Sequence, residues 1–340
     1  MTLWQILLAC AVTCGVAALF TSLVRRRALR QGMLDRPNAR SSHTVPTPRG
    51  GGLAIVAAAS LGCLALWIGG AMTFELLVVM LAGGCAVALA GYLDDRGLIG
   101  IRIRILVHFG AAIWAVVWLG GLSRLQWGTE LIELGWAGPV LSVIGIVWAL
   151  NLFNFMDGID GIAGSQALFM GAAGAALGLL GGVSVPVAMA GCVVGAASLG
   201  FLFSNWPPAR IFMGDVGSGY LGYVIAVLAL AAAREQPAVF AGWLVLSGVF
   251  LIDATVTLLR RLARREPVYE AHRSHAYQWQ ARRFGHARVT IAVLALNLCW
   301  LAPIAWLAVD RPQFAGWAVM AALIPMTFLA LACGAGRREA

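Results

Sequence analysis

Apolar residues fill this chain in long runs, broken by short polar connections. Eleven runs can be drawn, near residues 3–24, 51–70, 74–93, 103–120, 138–153, 162–182, 184–204, 216–233, 238–259, 289–309 and 313–333. Each approaches the roughly 20 residues that a helix needs to cross a bilayer. The shortest polar break is at Gly181–Ser184. The pattern predicts an all-α, polytopic membrane bundle of about eleven (10–11) transmembrane helices, forming one domain over residues 1–340. Glycines spaced three or four apart, such as Gly171, Gly174 and Gly178 or Gly191 and Gly195, predict close helix–helix approach.

Composition agrees with this pattern. Charged residues make up 11% of the 340 residues and the mean hydropathy is +0.85, whereas soluble domains carry about 25% charged residues. The net charge of +9 comes from 24 arginines and no lysine. In a membrane protein such an excess reports topology before it reports nucleic acid, because cytoplasmic loops collect basic residues. With the first run crossing inward, 21 arginines fall in inner loops and the tail, and only Arg124, Arg234 and Arg311 fall outside. This predicts an N-terminus outside and a C-terminus in the cytoplasm. The basic cluster after Val24 follows its apolar run instead of preceding it, the reverse of a signal peptide. The seven cysteines lie in apolar runs without metal-ligand spacing, and they are expected to be free thiols.

Polar groups within apolar runs are costly and mark functional sites. The stretch 151–164, NLFNFMDGIDGIAG, carries Asn151, Asn154, Asp157 and Asp160. The three-residue spacing of the last three would keep them near one face of a helix. Under the predicted topology Asp94, Asp95, Asp157, Asp160 and Asp215 all gather at the inner membrane edge. Oxygen donors of this kind suit Mg²⁺ or Mn²⁺ better than zinc.

Three connections accompany them. The first, LDRPNARSSHTVPTPRGGGLAI from Leu34, is a solvated basic loop or a phosphate-binding loop using Arg40, His43 and Arg49. The second, SNWPPARIFMGDVGSGYLG from Ser204, brings Asp215 to the start of a span, where free helix amides can meet an anion. Its Phe212 is either core or a platform for a planar base. The third, residues 260–288, has eight arginines, including Arg273, with His272, His275 and Tyr277. It is a membrane-surface patch or a diphosphate clamp. One face thus offers carboxylates for a divalent metal, arginines for phosphates and walls open to lipid. This set suits a phosphorylated soluble donor meeting a lipid-borne acceptor.

In this order, the H-x-x-P-x-P-x-G-G run at His43, the pair Asp94–Asp95, the N-x-x-N-x-x-DGIDG block and the FMGDVGS block resemble the polyprenyl-phosphate N-acetylhexosamine-1-phosphate transferase family. That family includes the phospho-N-acetylmuramoyl-pentapeptide transferases. The likeness spans about Asp35 to His275. It implies transfer of a sugar-1-phosphate from a UDP-N-acetylhexosamine to undecaprenyl phosphate with release of UMP, in a multi-pass bacterial inner-membrane enzyme whose active site faces the cytoplasm. It implies Mg²⁺ (or Mn²⁺) near Asn154 and Asp215, and catalytic carboxylates at Asp94, Asp95, Asp157 and Asp160. Asp94 is the choice for activating the lipid phosphate, while Asp157 and Asp160 match the pair lining the nucleotide site. Phe212 would stack on uracil, and His43, Arg49, Arg273 and His275 would bind substrate. Expected partners are membrane lipids and the two substrates, with no nucleic acid; a homodimer stays open.

The chain departs from the family in one place. Where the family has a run such as HIHH or HHH, this sequence reads HRSHAYQ from His272, and only His275 aligns. The departure argues against the muramoyl-pentapeptide branch. It favours the branch initiating O-antigen or other surface polysaccharides, with N-acetylglucosamine or a 6-deoxy-N-acetylhexosamine as the sugar. Two rivals fit less well. A CDP-alcohol phosphotransferase would need arginine where Ser165 stands. A cation-coupled transporter would place its acids near mid-membrane, not at one edge.

Overall fold

A computed structural model describes residues 3–32, 34–35, 45–267 and 272–338. In chain order it runs α1 (Leu3–Gln31), β1 (Leu34–Asp35), β2 (Thr47–Pro48), α2 (Gly52–Ile68), α3 (Phe74–Val78), α4 (Gly84–Asp94) and α5 (Ile101–Leu119). The hairpin β3 (Arg124–Trp127) and β4 (Glu130–Glu133) leads to α6 (Ala137–Met156), α7 (Ile162–Leu180), α8 (Val185–Asn205) and α9 (Asp215–Glu235). Then come α10 (Pro237–Leu246), α11 (Gly248–Ala263), α12 (Ala276–Phe284), α13 (His286–Leu296), α14 (Ala302–Asp310) and α15 (Ala315–Ala332). The four strands form two small antiparallel pairs, β1–β2 and β3–β4.

Each predicted apolar run is helical. Among the described residues nine helices are long and apolar enough to cross a membrane, with α3–α4 and α13–α14 each counted as one. The pair α10–α11 is a broken span bent by 69°, and α2 is apolar but only 17 residues long. The division at Gly181–Ser184 is a helix boundary, with α7 ending at Leu180 and α8 starting at Val185.

The helix irregularities free backbone groups that lipid cannot solvate, and polar side chains answer them. Between α3 and α4 the π segment Val79–Gly83 leaves the Val79 carbonyl to accept from Tyr223 Oη at 3.1 Å. At the α10–α11 bend, Gln166 Nε2 donates to the Leu246 carbonyl at 3.0 Å. Gln166 Oε1 in turn accepts from Asn297 Nδ2 at 2.7 Å, where the π segment Asn297–Leu301 joins α13 to α14.

Helix α9 is the axis of the bundle. It packs against α2, α4, α6, α7, α8 and α10 and is the most enclosed of the spans. Small residues allow this approach. A Cβ on Gly91 of α4 would come within 2.6 Å of the Val216 amide, and one on Gly171 of α7 within 2.6 Å of the Gly191 carbonyl in α8. Gly174 abuts the Trp243 ring, whereas Gly178 has only ordinary contacts.

The stretch 151–164 is not one helix. It breaks after Met156, Asp157 leaves the helical region at ψ 47°, and Gly161 is left-handed at φ +76°. Asp157 and Asp160 therefore sit in a turn and not on a shared helix face with Asn154. The two glycines in DGIDG outweigh the three-residue spacing.

Candidate active site at one end of the bundle

Asp94 and Asp95 end α4 and divide their work. Asp94 pairs with Arg104, one turn into α5. Asp95 lies 2.8 Å from Arg49 Nη2 and accepts the first two amides of α9, from Asp215 at 3.1 Å and Val216 at 3.4 Å. A carboxylate at a helix N-terminus stabilises the free amides and the positive end of the helix dipole. Burial still pushes Asp95 up to about 6, against the pull of Arg49.

Asp215 accepts from both arginines: Oδ1 lies 2.9 Å from Arg49 Nη2 and Oδ2 lies 3.0 Å from Arg104 Nη1. Three carboxylates from two helices and two guanidiniums from other elements thus form one partly buried cluster.

Arg49 reaches the cluster because two connections pair along their backbones. Phe212 N–H donates to the Pro48 carbonyl at 2.8 Å, Gly51 N–H to Phe212 at 2.9 Å and Gly52 N–H to Met213 at 2.9 Å. The next residue, Gly214, has φ +77° and precedes the first turn of α9. Only glycine tolerates that conformation readily, and a Cβ there would lie 2.6 Å from Asp95 Oδ2. The predicted loop at Arg49 and the FMGDVGS block are therefore one structural unit. Phe212 is half-buried within it. His43 lies outside the described residues.

Asn154 Nδ2 donates to Ser218 Oγ at 3.3 Å, tying the end of α6 to the turn that carries Asp215. Asp157 follows, and burial raises it well above the usual carboxylate range. Asp215, Asp95 and Asp160 add to the rise while Arg49 opposes it. Asp160 faces elsewhere: its carboxylate lies 3.2 Å from His286 Nδ1 and accepts the Ala209 amide at 3.0 Å. Its carbonyl takes Thr290 Oγ1 at 2.9 Å. Asn205 joins the same turn by accepting the Gly161 amide at 3.0 Å and donating to the Ile211 carbonyl at 2.9 Å.

The 272–278 segment closes the side next to α6. His275 is 1% exposed, sits at the N-cap of α12 and lies 3.5 Å from Asp253 of α11. Asp253 also accepts the amides of Ala276 at 2.8 Å and Tyr277 at 3.0 Å. His272 stacks on His275 with centroids 4.9 Å apart, and His275 stacks on Phe155 at 6.1 Å. Burial, with help from His275 and Arg261, lowers His272 to about 3. Tyr277 Oη donates to the Phe155 carbonyl at 2.9 Å. Arg273 stands between the two histidines, and its carbonyl accepts from Arg282 at 2.6 Å.

Among the described residues no three His, Cys, Asp or Glu side chains form a ready metal cage. The donors at this end of the bundle, clustered Asp94, Asp95 and Asp215 with the Asn154 amide tied to nearby Ser218, are hard oxygen groups. They fit a cation such as Mg²⁺, which binds one or two carboxylates and completes its shell with phosphate oxygens and water.

Residues 76–233, from α3 to α9, match the family model described as Glycosyl transferase family 4. A Bacillus subtilis (strain 168) protein, a probable undecaprenyl-phosphate N-acetylglucosaminyl 1-phosphate transferase, is 32% identical, with 86% of this chain and 82% of the relative covered. The chain belongs to glycosyl transferase family 4. Other family members include an undecaprenyl-phosphate alpha-N-acetylglucosaminyl 1-phosphate transferase of Yersinia pestis, 28% identical over 91% of this chain and 86% of its own. A phospho-N-acetylmuramoyl-pentapeptide-transferase of Moorella thermoacetica is 30% identical over 72% of this chain and 81% of its own.

Several groups that build this site of the glycosyl transferase are not among the candidates that the sequence pattern singles out. Arg104 stood among three arginines with nothing to distinguish it, although a charge inside an apolar run is itself a signal. Asp253 is an acid inside the ninth apolar run, a placement that does not reveal its acceptance of the first amides of α12. His286, Thr290 and Asn205 hold the Asp160 turn, and no local pattern marks them.

Proposed function

We propose that the protein transfers an N-acetylhexosamine-1-phosphate from a UDP-sugar to undecaprenyl phosphate, giving undecaprenyl-diphospho-sugar and UMP. The observation that carries this reading is the convergence of Asp94, Asp95 and Asp215 with Arg49 and Arg104 at one end of a family 4 bundle. In the reaction an oxygen of the lipid phosphate attacks the phosphorus bearing the sugar. The bond from that phosphorus to the bridging oxygen breaks, and the electron pair leaves with UMP. The nucleophile is an ionised phosphate, so Asp94 need only orient it or take a residual proton. Arg49 and Arg104 are positioned to exchange their carboxylate partners for diphosphate oxygens, which arginine binds in a bidentate manner.

Asn154 and Asp215 are the residues assigned to Mg²⁺, with Mn²⁺ as a substitute. When bound, the ion neutralises diphosphate charge and stabilises the transferring phosphoryl group. Asp157 and Asp160 are assigned to the nucleotide side with Phe212. Asp157 faces the cluster, while the ties of Asp160 to Ala209 and His286 make it the shaper of that wall. His275, buried against Asp253, supports substrate binding by holding the 272–278 segment in place.

The arginine asymmetry favours the cytoplasm for this face, in a bacterial inner membrane. The favoured sugar is N-acetylglucosamine or a 6-deoxy-N-acetylhexosamine, for O-antigen or another surface polysaccharide. The departure at His272 and the two N-acetylglucosaminyl relatives support it. The Moorella relative keeps the muramoyl-pentapeptide reaction as the second reading. A panel of UDP-sugars, UDP-N-acetylmuramoyl-pentapeptide among them, assayed with undecaprenyl phosphate separates the two. Product from the pentapeptide donor alone would overturn the first reading.

A further inference from the structure

Two cavities of opposite character adjoin at α12. The smaller, about 360 Å³, is lined by Trp279, Gln280, Arg282, Arg283, Cys333 and Arg337, with three arginines and no acid. The larger, about 800 Å³, lies between α11, α12, α13 and α15; its walls are mostly apolar, with Ile252, Leu296 and Met326 among them, and Asp253, Tyr277 and Arg288 also line it. Gln280 and Cys333 line both, so the polar chamber continues into the apolar one.

The sequence of α12 explains the arrangement. Trp279, Arg282 and Arg283 are spaced i, i+3 and i+4 and share one face. Tyr277 lines the larger cavity, and its hydroxyl reaches the Phe155 carbonyl. The Arg282 guanidinium lies 4.5 Å over the Trp279 ring and that of Arg337 lies 5.7 Å from it. The indole Nε1 of Trp279 is buried without an acceptor. Tryptophan and arginine at the end of a span are groups that sit at the headgroup level of a bilayer. The tail that closes the chamber is itself fixed, because Arg260 donates to the Ala335 carbonyl at 2.6 Å and Gly336 N–H to the Ser274 carbonyl at 2.7 Å.

A cationic chamber opening into an apolar one, at the end of membrane helices, is complementary to an anionic amphiphile. We propose that the paired cavities bind one anionic phospholipid, its phosphodiester among Arg282, Arg283 and Arg337 and its acyl chains between α11, α13 and α15. This lipid is distinct from the acceptor substrate, whose phosphate has to reach Asp94 and Asp215 and not the three arginines. The site stands on its own geometry and does not depend on the transferase reading.

The test is native mass spectrometry of the full-length protein released from nanodiscs holding equal amounts of phosphatidylglycerol and phosphatidylcholine with matched chains. Wild type is expected to retain phosphatidylglycerol preferentially. Arg283→Gln and Arg337→Gln are each expected to cut that preference about fivefold, with an unchanged melting temperature and unchanged transfer rate in pure phosphatidylcholine. If Arg283→Gln fails to fold, Arg337→Gln in the tail carries the test alone. Equal retention of the two lipids by wild type would overturn the proposal, as would an undiminished preference in a folded variant. Recovery of undecaprenyl phosphate in place of phospholipid, or binding of inorganic phosphate that excludes lipid, would also overturn it.

Discussion

Asp215 shares its carboxylate between Arg49 and Arg104 while its own amide is capped by Asp95. Its charge is thus compensated in the resting protein, and in the proposed reaction it becomes available to a cation once substrate phosphates draw the arginines away. Asp215→Asn keeps the shape and removes the charge. Turnover is expected to fall at least about 100-fold, the scale for losing one electrostatic contact in a transition state, while the melting temperature stays near wild type. Near-normal rates would remove Asp215 from the reaction. His272 gives a prediction of opposite kind. Its folded value of about 3 lies below the ordinary 6.5, so unfolding takes up a proton as pH falls from about 6.5 toward 3. The stability tied to neutral His272 is complete above 6.5 and is lost on acidification. His272→Gln should flatten the fall in melting temperature between pH 7 and pH 5; an unchanged slope would contradict the burial argument. At this scale the acids and amides were legible because polar groups stand out in apolar runs. Arg104, Asp253 and His286 were not, because their meaning lies in partners 10, 23 and 126 residues away.

The elements follow from hydropathy, since a run of about 20 apolar residues has no alternative to helix in a bilayer. What hydropathy does not encode is where helices break. The bend before α11 depends on Gln166 and Asn297 from other spans, and the turn after α6 depends on Gly158 and Gly161. Close approach of α4 and α9 depends on Gly91 facing the Asp215–Val216 backbone. Gly91→Ala should push these helices apart, costing about 1–3 kcal/mol as overpacking and misplacing Asp94 and Asp95 relative to Asp215. Thermal unfolding and the transfer rate should drop together; a stable variant with normal rate would argue against this contact. Tyr277→Phe removes the hydrogen bond to the Phe155 carbonyl and should cost about 1 kcal/mol, read as a lower melting temperature.

Over the whole molecule, alternating helices bring sites more than 100 residues apart to one end of the bundle. The opposite end carries the β3–β4 hairpin, in the connection between the fourth and fifth apolar runs. A transporter would need its charged groups near mid-membrane. Here the buried polar network of Gln166 and Asn297 is uncharged and serves the helix break. The most direct test is transfer from radiolabelled UDP-N-acetylhexosamines to undecaprenyl phosphate by the purified protein, with Mg²⁺ and with the ion chelated. The account predicts a labelled undecaprenyl-diphospho-sugar and stoichiometric UMP with Mg²⁺, both abolished by EDTA and restored by added metal. Absence of lipid-linked product from every donor, in protein that remains folded, would contradict it.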